Sequence, residues 1–139
     1  MTVAQRIAQI FGWVFVLVGL AGFAATGSSM EANHELAPKL FGLFPVNVIH
    51  NVVHLLFGVW GIVASRSVGG SRGYFIGAGV SYLLLATLGT VVPDGFGLVP
   101  IGGNDVGLHL FLALGLLAAA LLARRRAADV PVRADAPRR

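Results

Sequence analysis

Residues 44–58, FPVNVIHNVVHLLFG, set two histidines and two asparagines into a run that is otherwise as apolar as lipid. The whole chain has only four histidines. Extended to about 46–65, the run reaches the roughly 20 residues of helix that cross a bilayer. Three further apolar runs of that kind lie at about 6–26, 73–92 and 105–123. The pattern implies an all-α, polytopic integral membrane protein, a bundle of four transmembrane helices. Lipid cannot satisfy unpaired backbone groups, and the apolar residues do not alternate as a barrel strand requires.

Composition agrees with that reading. Of 139 residues, 56% are hydrophobic and 12% charged, against roughly 25% charged in ordinary soluble domains. Many of the 19 glycines sit inside the apolar runs, where small residues let helix backbones approach in a membrane. The absence of cysteine excludes disulfides, thiolate metal sites and cysteine nucleophiles. The net charge of +4 does not point to nucleic acid, because the arginines gather mainly in one short tail.

Basic residues collect on the cytoplasmic side of membrane proteins. Arg6, Arg66, Arg72, Arg124, Arg125, Arg126, Arg133, Arg138 and Arg139 fall on one side of a four-span layout, and Lys39 alone on the other. Both termini are therefore expected in the cytoplasm, with the protein in the cell membrane. Trp60 and Tyr74 are expected as interfacial aromatics beside the loop SRSVGGSR, 65–72. Residues 1–126 make up the expected membrane domain, and 127–139 a disordered basic tail beside the inner leaflet. The first run is longer than the apolar core of a signal peptide and lacks a small-x-small end, so it is read as a retained span.

The long outer connection carries Leu36, Leu40, Phe41, Leu43 and Phe44, interrupted by Pro38, and reads as a segment lying on the membrane surface. On the second run, Asn47, Asn51, His54, Gly58 and Gly61 form one helical stripe with His50 beside it. The fourth run enters from the same side as GGNDVGLHL, stacking His109 one turn from Asp105. Two runs thus bring Asn47, His50, Asn51, His54, Asn104, Asp105 and His109 to one membrane layer.

Two chemistries suit that layer. Cross-helix hydrogen bonds from asparagine and histidine act as glue in lipid, with Asn104 or Asp105 serving as a helix N-cap. Alternatively His50, His54, Asp105 and His109, paired at i,i+4, offer imidazole and carboxylate to a metal ion, or one histidine from each run holds a haem iron. Elsewhere, Gly73, Gly77 and Ser81 read as a packing face, Tyr82 as a core tyrosine, Asp94 as a turn residue, and Glu31, His34 and Glu35 as a solvated loop face.

The stretch LFGLFPVNVIHNVVHLLFGVWGI, 40–62, followed by YLLLATLG, 82–89, and IGGNDVGLHL, 101–110, resembles a family of small bacterial membrane proteins named domain of unknown function 4383. The resemblance runs from about 7 to 122 and matches Phe44, Pro45, Asn47, His50, Asn51, His54, Gly58, Asn104, Asp105 and His109. It implies a four-helix integral membrane protein and assigns no activity or cofactor. The leading expectation is a non-enzymatic protein whose polar layer serves helix packing or contact with another subunit, a second copy or a different membrane protein. The metal or haem site comes next, and movement of ions, protons or small solutes third, since no charge lies deeper than the outer half of the bundle.

Overall fold

The computed structural model describes residues 1–128, with side chains described to Ala123. Its helices are α1 (Val3–Thr26), α2 (Val48–Ala64), α3 (Val68–Val91) and α4 (Asn104–Ala128). A two-stranded antiparallel ladder, β1 (Lys39–Leu40) with β2 (Phe44–Pro45), and a 3-10 turn at Gly95–Gly97 complete it. Three helices, α1, α3 and α4, are long and apolar enough to cross a membrane. The second is apolar but has 17 residues, a length of about 25 Å against a hydrocarbon core of about 30 Å. The expected tail, 127–139, lies outside the described residues beyond Ala128.

Local chemistry sets the helix ends. Thr2 and Gln5 cap α1 reciprocally, and Gln5 Nε2 also donates to the Ser65 carbonyl at 3.0 Å, so α1 starts where α2 ends. Asn47 stands just before α2 and caps it, accepting from the His50 amide at 2.9 Å. It is therefore an end-piece rather than the first member of the buried stripe, which consists of His50, Asn51, His54, Gly58 and Gly61.

The loop expected at 65–72 is mostly helix. Ser67 accepts from the Gly70 amide and opens α3 at Val68, leaving a connection of three residues. Tyr74, expected at the interface, is completely buried. Gly61 makes room for it, since a Cβ there would lie 2.9 Å from the phenol ring, and Trp60 meets that ring edge-on at 5.2 Å. The expected surface segment folds into the ladder instead. Phe41 and Gly42 turn it with positive φ, an uncommon conformation for a bulky residue such as phenylalanine, and Phe41, Leu36 and Leu43 stand exposed while Leu40 is buried.

Packing is in pairs. Helices α1 and α2 pack closely, as do α3 and α4, and the pairs join through narrower α2–α3 and α1–α3 contacts. Between α2 and α4 the backbones scarcely approach. The α1–α2 seam is built on glycine: a Cβ on Gly12 would lie 2.7 Å from the Ile62 amide and 2.8 Å from the Gly58 carbonyl oxygen. The outward faces carry Ile10, Leu17, Leu56, Val59, Leu84, Phe111 and Leu114, all exposed, while the polar residues lie inside. That inversion of the usual arrangement suits a lipid surrounding.

Gly12→Leu is expected to lower unfolding stability in detergent by about 1–3 kcal/mol, the usual range for overpacking. Gly115→Ala, where an added Cβ meets nothing within 4 Å, should cause no loss. Equilibrium unfolding followed by circular dichroism checks both.

Candidate metal centre

At the loop end of the bundle Asn47, His50, Asn51, His54, Asp105 and His109 are all buried. What each one bonds divides them. The Asn47 amide donates to the Leu98 carbonyl at 2.8 Å, tying α2 to the loop before α4. The Asn51 amide donates to Thr26 Oγ1 at 3.0 Å, and that hydroxyl donates on to the Gly27 carbonyl, tying α2 to α1. Gly22 is the seat for Asn51, because a Cβ there would collide with the amide group. The Asn104 amide donates to the Leu43 carbonyl at 3.3 Å, joining α4 to the β turn.

Among the described residues the side chains of His54, Asp105 and His109 make no such bonds, and His50 has only the backbone carbonyls of Pro45 and Pro100 beside it. Asp105 Oδ2 lies 3.7 Å from His50 Nε2 and 3.6 Å from His109 Nε2, beyond the range of a hydrogen bond. Asp105 Oδ2 and the Nδ1 atoms of His50, His54 and His109 are buried without a hydrogen-bond partner. A buried polar atom left that way costs on the order of 1–3 kcal/mol.

The sequence brings these groups together by simple helical geometry. Asp105 and His109 are one turn apart on α4, and His50 projects from the first turn of α2. The N-cap role expected of Asn104 or Asp105 is not what their positions give. The helix begins at Asn104, so Asp105 is already inside the first turn; its carboxylate lies toward the two imidazoles, and the Asn104 side chain is engaged by Leu43.

His50, Asp105 and His109 each offer one ligand atom, and these atoms lie within 4.8 Å of one another. A tetrahedral zinc ion with bonds of about 2.0–2.2 Å sets its ligand atoms roughly 3.4 Å apart. Both carboxylate–imidazole separations are near that spacing, and the two imidazoles, within 4.8 Å of each other, would have to close by up to about 1.4 Å to complete the triangle. His54, the fourth residue expected here, is not one of the converging three. Its ring lies 4.7 Å from that of His50 and meets Phe15 edge-on at 5.7 Å.

Two small cavities flank the cluster. One of about 160 Å³ is lined by His50, His54, His109 and Tyr82 together with apolar residues of α2, α3 and the 95–101 loop. Another of about 100 Å³ reaches His50, His54 and Asp105 from the side of Val18 and Leu40. Both are well below the roughly 300–1,000 Å³ in which proteins hold drug-sized ligands, so the site does not fit a haem macrocycle. Tyr82 stacks on Phe15 at 5.6 Å and lies 5.3 Å from the His109 ring, forming the floor of the site. Helical spacing carried no signal for that floor or for the loop wall, because both come from elements distant in sequence.

The remaining expected residues do not converge. Glu31 accepts from the Asn33 amide and the Glu35 amide donates to the Asn33 side chain, both in loop turns, and His34 lies against Gly102 and Gly103. Ser81 donates to the Gly77 carbonyl, and Gly77 lies under Trp60, whereas Gly73 touches nothing. Asp94 opens the 3-10 turn.

A family model described as Domain of unknown function (DUF4383) matches residues 5–122. No curated protein and no solved structure matches the chain.

The bonding pattern separates glue from ligand by experiment. Asn51→Leu should lower unfolding stability in detergent by about 1 kcal/mol, the scale of an interhelical hydrogen bond in lipid. His109→Leu in metal-free protein removes no hydrogen bond and should cost nothing. A loss from the histidine change equal to that from Asn51→Leu would make both residues glue.

Proposed function

The chain belongs to the family Domain of unknown function (DUF4383), and from that premise, which assigns no activity, we propose that it is a four-span membrane protein holding one divalent transition-metal ion on His50, Asp105 and His109. One observation carries the reading: three ligand atoms from two helices converge in a buried place, and the central one, Asp105 Oδ2, has no hydrogen-bond partner among the described residues. Imidazole with carboxylate suits zinc foremost, and the cysteine-free sequence removes the softest alternatives.

The ion would do what the backbones do not. Helices α2 and α4 scarcely meet, so ligands drawn from both make the metal a clamp between the two helix pairs at their outer ends. The asparagines supply the packing role expected of the polar layer, each tying a different pair of segments. Toward the other end the core is apolar, with Phe75, Ala78, Leu116 and Ala120 buried, which disfavours a continuous path for ions or protons.

The second helix is counted as a span in this reading because its outward face is apolar at Leu56, Val59 and Val63. Arginines at the opposite end from the metal orient both termini to the cytoplasm.

Protein purified without an affinity tag and dialysed against zinc should retain about one ion per chain by elemental analysis, as one three-ligand site requires. Asp105→Asn combined with His109→Ala should abolish retention, and His34→Ala should leave it intact. Absence of stoichiometric metal in the unaltered chain would overturn the assignment.

A further inference from the structure

Three protein ligands leave a four-coordinate ion one position short, the arrangement of sites that exchange a ligand. The charge of such a centre is also incomplete. A divalent ion with one carboxylate and two neutral imidazoles carries a single positive charge, and an uncompensated charge inside an apolar bundle is costly. One monoanionic donor would bring the centre to neutrality.

The cavity beside the cluster limits what can carry that donor. At about 160 Å³ it is close to the size of an apolar cavity that admits benzene. Its walls include Val53, Leu85, Leu88, Leu98, Val99 and Ile101, and its lining contains no lysine or arginine. An anion entering there finds no counter-charge except the metal, and a second charged group on it would have nothing to meet. His50 and His109 both line this cavity as well as belonging to the metal triangle.

Resting on the metal reading above, we propose that the fourth position takes a small monocarboxylate whose apolar body, about the size of a benzene ring, fills the cavity roofed by residues 95–101. The carboxylate neutralises the ion and the walls select the body. Water or hydroxide occupies the position when no such acid is present.

Cobalt(II) loaded into the full chain in detergent reports its coordination through visible absorption, and benzoate, acetate and benzamide are suitable probes. Benzoate should shift the bands saturably with a Kd at least tenfold below that of acetate, and benzamide should leave them unchanged. Val99→Phe, which fills the cavity from its loop wall, should raise the benzoate Kd tenfold or more with little effect on acetate. Retained cobalt absorption in that variant shows that the fold and metal centre survive.

Cobalt that binds but does not respond to benzoate overturns the proposal while leaving the metal site standing. Equal binding of benzoate and acetate removes the role of the cavity. A benzoate response that appears only after His54→Ala would mean that His54 closes the fourth position itself. Failure to bind cobalt at all would overturn the metal reading and this one together.

Discussion

Every polar group that leaves water for the interior of this bundle must find a partner there, and the structure meets that demand unevenly. Asn47 and Asn51 are engaged, each reaching across to another segment, while Asn104 bonds the Leu43 carbonyl from an exposed position. His50, Asp105 and His109 come within 4.8 Å of one another and still leave buried atoms unbonded. In lipid there is no hydrophobic drive between helices to offset such a deficit. A cation shared among the three would bond Asp105 Oδ2, the one unpartnered atom that faces both imidazole Nε2 atoms.

The rest of the architecture can be followed from that layer. The Asn51 amide reaches Thr26 only because Gly22 leaves a space where its side chain sits. Below it, Gly12 and Gly58 bring α1 and α2 to near backbone contact, which places the inner stripe of α2 against α1 and turns His50 toward α4. On the other side Gly89 seats the loop before α4, because a Cβ there would strike the Ile101 carbonyl. The loop so held forms one wall of the cavity beside His50 and His109. Small residues thus bring the backbones close within each helix pair, and the gap left between the pairs is where the ionisable groups gather.

Much of this was legible in the sequence, for definable reasons. Apolar run length located all four helices to within about five residues at each end, and three of them, α1, α3 and α4, are long enough to span lipid while α2 is shorter. The four-residue spacings placed His50 near His54 and Asp105 near His109 because helical periodicity is local. Spacing alone could not separate Asn47, a cap, from Asn51, a bridge between helices. Nor could it say that Asp105 lies within the first turn and His54 outside the cluster, since both depend on where a helix starts and on what faces it. Tyr74 was misjudged for a related reason: a tyrosine near the end of an apolar run is often interfacial, but here the missing side chain of Gly61 opens a buried slot for its ring.

The contrast between asparagine and histidine in this layer also bears on why both residue types are present. If packing were the whole role of the layer, asparagine would serve at each position, since a side-chain amide both donates and accepts and carries no charge to desolvate. A neutral imidazole has one donor and one acceptor on opposite sides of a rigid ring, so it satisfies itself poorly unless both sides are met. Two such rings could each donate to one carboxylate, but at 3.7 and 3.6 Å neither does; the same groups suit a cation, whose charge the carboxylate would offset and whose bonds the rings would complete. Asparagine occupies the positions where helices are bonded to their neighbours, and histidine with aspartate the place where the two helix pairs face each other without closing. The division of labour follows from what each side chain can offer in a place that water does not reach.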